Sequence, residues 1–315
     1  MRLQEYLTEQ AHTLAADINE IGLGFNLLGG KWSGFVGSGE AKKQLDSRIS
    51  QLGQETADVE LDRSYIMALE VLKWAHSNGY KGNPKKIWWT ARAGVLSKAV
   101  GQSVDPTKNP TDVLIQFSDG QFLGVSAKST KSQGEIPFKN PGIKTIDKQL
   151  GLSMGKKADE ITKQLVKELG LPASAGARKK FLRQKENEHI RQSTISKGFA
   201  IMTDIRDTLL HKLKSLNPKA AREHILTTWL NAVPTFPPYI KVTGHGSGKK
   251  LKATISNPLK NQKTVLLMNN DPEFEPVGVD SIGVSAGGQH IMKMRVKFES
   301  EKLASSIKFS GDPWR

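Results

Sequence analysis

A chain of 315 residues can bury one large hydrophobic core or two modest ones. Its 46 Lys and Arg against 31 Asp and Glu leave a formal charge of +15, which favours a polyanionic partner, nucleic acid first, over an anionic membrane surface. Cysteine is absent, which excludes disulfides and thiolate zinc sites, and neither a signal-peptide core nor a membrane-length apolar run occurs, so a cytoplasmic, membrane-free protein is expected.

In chain order, Leu3, Leu7, Ala11, Leu14 and Ile18 recur at helical spacing and predict a helix that ends at Gly22. The glycine-rich stretch from Gly22 to Gly39, with Trp32 and Phe35, reads as a loop or short extended region. A short helix is expected over Ala41 to Leu52 and a long one over Ala57 to Ser77, stopped by Asn78-Gly79. Ile87 to Thr90 reads as a strand and Gly94 to Gly101 as a short helix. A polar segment runs from Lys131 to Leu150, and two or more helices follow between Lys156 and Ala232. Pro234, Pro237 and Pro238 mark a boundary. Beyond it Tyr239–Thr243, Lys250–Ile255, Thr264–Met268 and Ile291–Phe298 are predicted strands. Four regions result: 1–55 helical and glycine-rich, 56–155 an α/β core, 156–233 a basic helical segment, and 234–315 a β-rich domain.

The sharpest chemical signal lies between Asn109 and Lys128. Ser118-Asp119-Gly120 suits a three-residue hairpin loop with Gly120 in the left-handed region. Phe117 then pairs with Gln121, and Asp112 falls opposite Ser126. Val113, Ile115, Phe117, Leu123, Val125 and Ala127 share one face, and Asp112, Ser126 and Lys128 gather on the other. A two-residue loop would mix the two sets, so the hydrophobic pattern selects the register that assembles the polar trio.

A helix with a glutamate, then a strand, then Asp112 and Ser126-Ala127-Lys128 on a hairpin resembles the PD-(D/E)XK nuclease superfamily. The likeness covers roughly Val59 to Leu150. It implies a restriction-endonuclease-like mixed sheet flanked by helices, and a Mg²⁺-dependent DNA endonuclease in which Mn²⁺ can substitute. Asp112 takes the place of the family's metal-binding aspartate and Lys128 that of its water-positioning lysine. Ser126 stands where the family carries an acid, so the second carboxylate must come from elsewhere. Glu70 on the long helix is the expected donor, ahead of Glu60, and the Ala127 carbonyl is a further candidate ligand. Ser129, Thr130, Lys131, Gln133, Lys139 and Lys144 follow as possible backbone contacts. Duplex cutters of this fold often act as dimers, so a homodimer is a further expectation.

Other signals are weaker. Gly244-His245-Gly246-Ser247-Gly248-Lys249-Lys250 fails as a phosphate-binding loop, because Thr243 stands where a glycine is needed and Lys250 replaces the magnesium-binding hydroxyl. No histidine pair has zinc-hydrolase spacing, and no nucleophile elbow occurs. Lys293, Arg295 and Lys297 alternate with apolar residues and could follow successive phosphates, as could the basic stretch from Arg178-Lys179 to Arg191. Two further readings stand beside the nuclease: a nucleic-acid-binding protein with a degenerate metal site, which Ser126 favours, and a structural component of an assembly.

Overall fold

The computed structural model describes residues 2–106, 108–130 and 138–314, with side chains from His12 onward. Among the described residues the chain is mixed α/β, with ten α-helices, a mixed five-stranded sheet and an antiparallel four-stranded sheet. It divides into two compact units, Met1–Ile136 with Val233–Asn261, and Pro137–Ala232 with Gln262–Arg315.

The first unit contains α1 (Arg2–Leu27), α2 (Ser38–Leu52), α3 (Gln54–Ser77), β1 (Pro84–Trp89), α4 (Val95–Val100), β2 (Val113–Phe117), β3 (Phe122–Thr130), β4 (Tyr239–His245) and β5 (Lys252–Ser256). The strands lie in the order β1-β2-β3-β4-β5, antiparallel except for the parallel β3/β4 pair. Helix α1 runs past the expected stop at Gly22. Its glycines are close-approach positions: a Cβ at Gly22 would lie 2.6 Å from Ser64 Oγ, and one at Gly24 would lie 2.7 Å from the Phe35 ring. Small residues there let α1 press against α3 and against the Phe35 loop, so glycine serves packing rather than termination.

The hairpin has the predicted register. Val113 faces Val125 and Ile115 faces Leu123, the Phe117 N–H donates to the Gln121 carbonyl at 2.9 Å, and Gly120 has φ +88°. The six apolar residues of the inner face are buried with Ile21, Leu23 and Leu27 of α1 and Met67, Ala68, Val71 and Ala75 of α3. Each of the five larger side chains contributes about 1.5–3 kcal/mol when buried, so a one-residue slip exposing the whole face is prohibitive.

The second unit contains α5 (Ile143–Leu150), α6 (Met154–Glu168), α7 (Ala175–Leu182), α8 (Glu188–Ser215), α9 (Pro218–His224), α10 (Gln262–Asn269), β6 (Pro272–Val277), β7 (Ser281–Ala286), β8 (Gln289–Phe298) and β9 (Ile307–Asp312). Its strands follow chain order, each antiparallel to the next. Buried Ile282, Val284, Met292, Met294, Val296 and Phe309 share a core with Ile201, Ile205 and Leu209 of α8.

The observed division departs from the four expected regions. Residues 1–55 belong with the hairpin, because α1 supplies much of its core. The β-rich tail is split: β4 and β5 complete the first sheet, whereas β6 to β9 form the second. The chain passes between units at Ala232 and Val233, next to the proline cluster. Thr264–Met268, expected as a strand, is helical within α10. Thr264 and Leu267 are buried while Val265 and Met268 are exposed, a spacing of three that a strand cannot produce.

Candidate active site

The polar end of the hairpin forms where β2 leaves the sheet. Val113 is the first ladder residue of β2, so β3 continues beyond it with an N–H to satisfy at Ala127. The Asp112 side chain answers it: Oδ2 accepts from Ala127 N at 2.8 Å, from Ser126 Oγ at 3.3 Å and, at a long 3.5 Å, from Lys128 Nζ. The Asp112 main chain is also fixed, accepting from Thr90 N at 3.0 Å and donating to the Val125 carbonyl at 2.9 Å. The carboxylate is therefore held in place by the sheet itself. The predicted trio of Asp112, Ser126 and Lys128 is brought together.

The second carboxylate is Glu20 of α1. Glu20 is 9% exposed, and its Oε2 accepts from Trp89 Nε1 at 2.9 Å, so the last residue of β1 anchors it. Burial and then the charge of Asp112 push the Glu20 carboxyl up to about 7, opposed by the Trp89 hydrogen bond and Lys128. Burial also raises Asp112, against the lowering effects of Lys128, Ala127 N–H and Ser126. The two carboxyl groups, both raised first by burial, act electrostatically on one another, and Lys128 acts on both.

Glu70, the expected donor, makes no hydrogen bond or ion pair among the described residues, and the main charges acting on Glu20 and Asp112 are other groups. Glu60 is spent elsewhere. Its Oε1 accepts from Arg63 Nη1 at 2.7 Å in a pair buried on both sides. Arg63 also donates to Ser129 Oγ at 2.9 Å and to the Gly246 carbonyl at 2.9 Å, and Asn19 Nδ2 donates to the Glu60 carbonyl at 3.2 Å. This network ties Asn19 and Ser129 together, the immediate neighbours of Glu20 and Lys128. Ser129 is thus a structural acceptor here rather than an open phosphate donor.

No family model matches the chain, and no curated protein matches it as a relative. What the site can do therefore rests on its own atoms. Each carboxylate commits one oxygen to protein donors, and no protein donor reaches Asp112 Oδ1 or Glu20 Oε1 among the described residues. Two hard anionic oxygens, with water completing the shell, suit Mg²⁺ or Mn²⁺, which bind through one or two carboxylates and keep several waters. Among the described residues no group of three or more acidic or histidine side chains is arranged as a metal cage. The donor set fits an open, hydrated ion and not an enclosed one.

The remaining expected contacts are dispersed. Thr130 ends β3 opposite His245. Lys131 and Gln133 lie outside the described residues. Arg178 belongs to the second unit, where it donates to the carbonyls of Leu303, Pro172 and Ala173 and so holds a loop. Lys179 follows it on α7, and Lys293, Arg295 and Lys297 lie along β8. Sequence reasoning missed Glu20. Its signal is faint but present: it is the last charged residue before a neutral stretch from Ile21 to Gly30, an unusual place for a solvated glutamate. No helix of the described residues is long and apolar enough to cross a membrane.

Proposed function

We propose that the chain is a divalent-metal-dependent endonuclease that hydrolyses DNA phosphodiesters on a restriction-endonuclease-like core. The observation that carries this reading is the convergence of Glu20, Asp112 and Lys128 at the open end of the hairpin. The antiparallel β1-β2-β3 meander with β4 parallel beside it, and a helix across the inner face, supports the same reading.

Asp112 through Oδ1 and Glu20 through Oε1 would hold the ion. A cation bound there would supply positive charge to the scissile phosphate and would make water beside it more acidic. Asp112 and Glu20 work ionised, and Trp89 keeps the Glu20 carboxylate aimed. Lys128, half exposed at the hairpin end, donates to a non-bridging phosphate oxygen and to the attacking water, fixing its line of approach. The water's oxygen bonds to phosphorus, the bond to the leaving oxygen breaks, and the water's protons pass to solvent and to that leaving oxygen.

Incubation of supercoiled plasmid with Mg²⁺ tests the assignment. Wild type is expected to cleave. Asp112→Asn, Glu20→Gln and Lys128→Ala are expected to lose at least a hundredfold, and Glu70→Gln to match wild type. Equal cleavage by all variants, or none by wild type on any DNA, refutes it. Ser126 favours one other reading, a binding protein that keeps the fold without hydrolysis. Calorimetric uptake of Mn²⁺ that disappears in Asp112→Asn argues against that alternative.

A further inference from the structure

The second unit's sheet has an inner face covered by α8 and an outer face that carries a distinct chemistry. Residues paired across strands point to the same side, so Lys293 on β8 shares the outer face with Gly283 on β7, Arg295 with Ser281 and Ser310, and Lys297 with Lys308. A register shift at Val284/Ser285 inserts Ile291 and returns His290 to the outer face, opposite Ser285. His290, Lys293, Arg295 and Lys297 therefore form one row along β8.

Trp314 lies over this row's upper end. A Cβ on Gly283 would sit 2.3 Å from the Trp314 ring, so the indole edge rests on the bare backbone of β7. The indole is stacked on His290, with ring centroids 3.7 Å apart and planes within 5°. Trp314 is partly buried and His290 exposed, which leaves the column open at its imidazole end. Below it, Lys293 and Lys297 make no ion pair among the described residues, while Arg295 pairs with Asp280 at 3.0 Å and Lys308 pairs with Glu299. Successive cations on a strand are about 7 Å apart, a spacing an extended sugar-phosphate chain can follow. Acid reaches the same face at Glu273 and Glu275 on β6, at Asp312 beside Lys293, and at Asp280 and Glu299, which pair with Arg295 and Lys308.

We propose that this face binds single-stranded DNA, with a base stacked on the His290–Trp314 column and the backbone following Lys293, Arg295 and Lys297. A duplex keeps its base faces inside the stack and cannot use an open ring. The side chains of the row itself are His290, Lys293, Arg295 and Lys297, which offer no apolar patch for a membrane or an apolar protein surface. The acidic β6 strand disfavours a polyanion there and leaves the β8 row, with Lys293 and Lys297, as its path. This site is independent of hydrolysis at Asp112.

Fluorescence anisotropy of a labelled oligothymidylate with the full chain, in EDTA so that no cleavage occurs, tests the proposal. His290→Ala, which removes an exposed ring, is expected to weaken binding by about tenfold, within the range for one lost base stack. Trp314→Ala is expected to do the same or more, with circular dichroism checking the sheet. The double variant Lys293→Gln/Lys297→Gln is expected to reduce the slope of log affinity against log salt by about 1.4, two single-strand phosphate contacts. Binding within twofold of wild type for His290→Ala and the double variant, or tighter binding of a duplex of matched length, overturns it. Failure here leaves plasmid cleavage untouched, and failed cleavage leaves this binding untouched.

Discussion

Glu20 carries its charge at a cost. Its folded-state pKa is raised from 4.5 to about 7, so the native chain holds that proton more tightly than the unfolded chain does. Stability from this group is complete below the ordinary glutamate pKa and is lost as pH rises through about 7. The raised Asp112 acts in the same sense. The Glu20 shift corresponds to about 3 kcal/mol, so denaturant midpoints measured in EDTA should fall between pH 5 and pH 8. Glu20→Gln should flatten that fall and be more stable than wild type at pH 8, since the amide oxygen still accepts from Trp89. Added Mg²⁺ should stabilise wild type at pH 8 and leave Glu20→Gln nearly unmoved. A variant less stable than wild type at pH 8 would show that the carboxylate is already compensated. Asp112 and Lys128 were legible in sequence because a hairpin brings together residues only 16 apart. Glu20 was not, because it meets Trp89 across 69 positions and no local periodicity encodes that meeting.

At the scale of elements, the hairpin was readable because two local rules agree: alternation fixes the buried face, and Gly120 fixes the loop. The end of α1 was misread because glycine has two meanings, conformational freedom and small size, and only the packed partner distinguishes them. The same distinction makes a prediction within the hairpin. Gly120 has positive φ and open space around it, so Gly120→Ala should cost about 1–2 kcal/mol and leave cleavage intact. Gly124 has no such dihedral, but a Cβ there would lie 2.1 Å from Thr111 Oγ1 and 3.0 Å from Tyr239 Cβ. Thr111 precedes Asp112 and is held by Asn109 at 2.5 Å. Gly124→Ala should therefore cost about 1–3 kcal/mol as overpacking and also lower cleavage, through the displaced Asp112. Thermal melts and plasmid nicking on the two variants separate these outcomes. Equal activity in both would mean that Thr111 gives way without moving its neighbour.

Across the whole molecule, the first unit is assembled from two stretches of chain separated by most of the second. The β-rich tail could not be apportioned from sequence, since strands of both sheets show the same alternation and only pairing partners assign them. Ser126 and Lys128 sit on a strand whose parallel neighbour is contributed by Lys241 and Thr243. A chain ended at Ala232 keeps β1 to β3 but loses that neighbour, and it should show no cooperative melt of the first unit and no cleavage. An active, cooperatively melting truncation would mean that the meander suffices alone.

That separation also sets a timetable during synthesis. β4 is made about 115 residues after β3, and at ribosomal rates the interval is on the order of ten seconds. Throughout it, one edge of β3 offers unpaired N–H and carbonyl groups, a template that other nascent chains can copy. Slow translation or scarce chaperones should therefore harm the yield of this protein more than its final stability suggests.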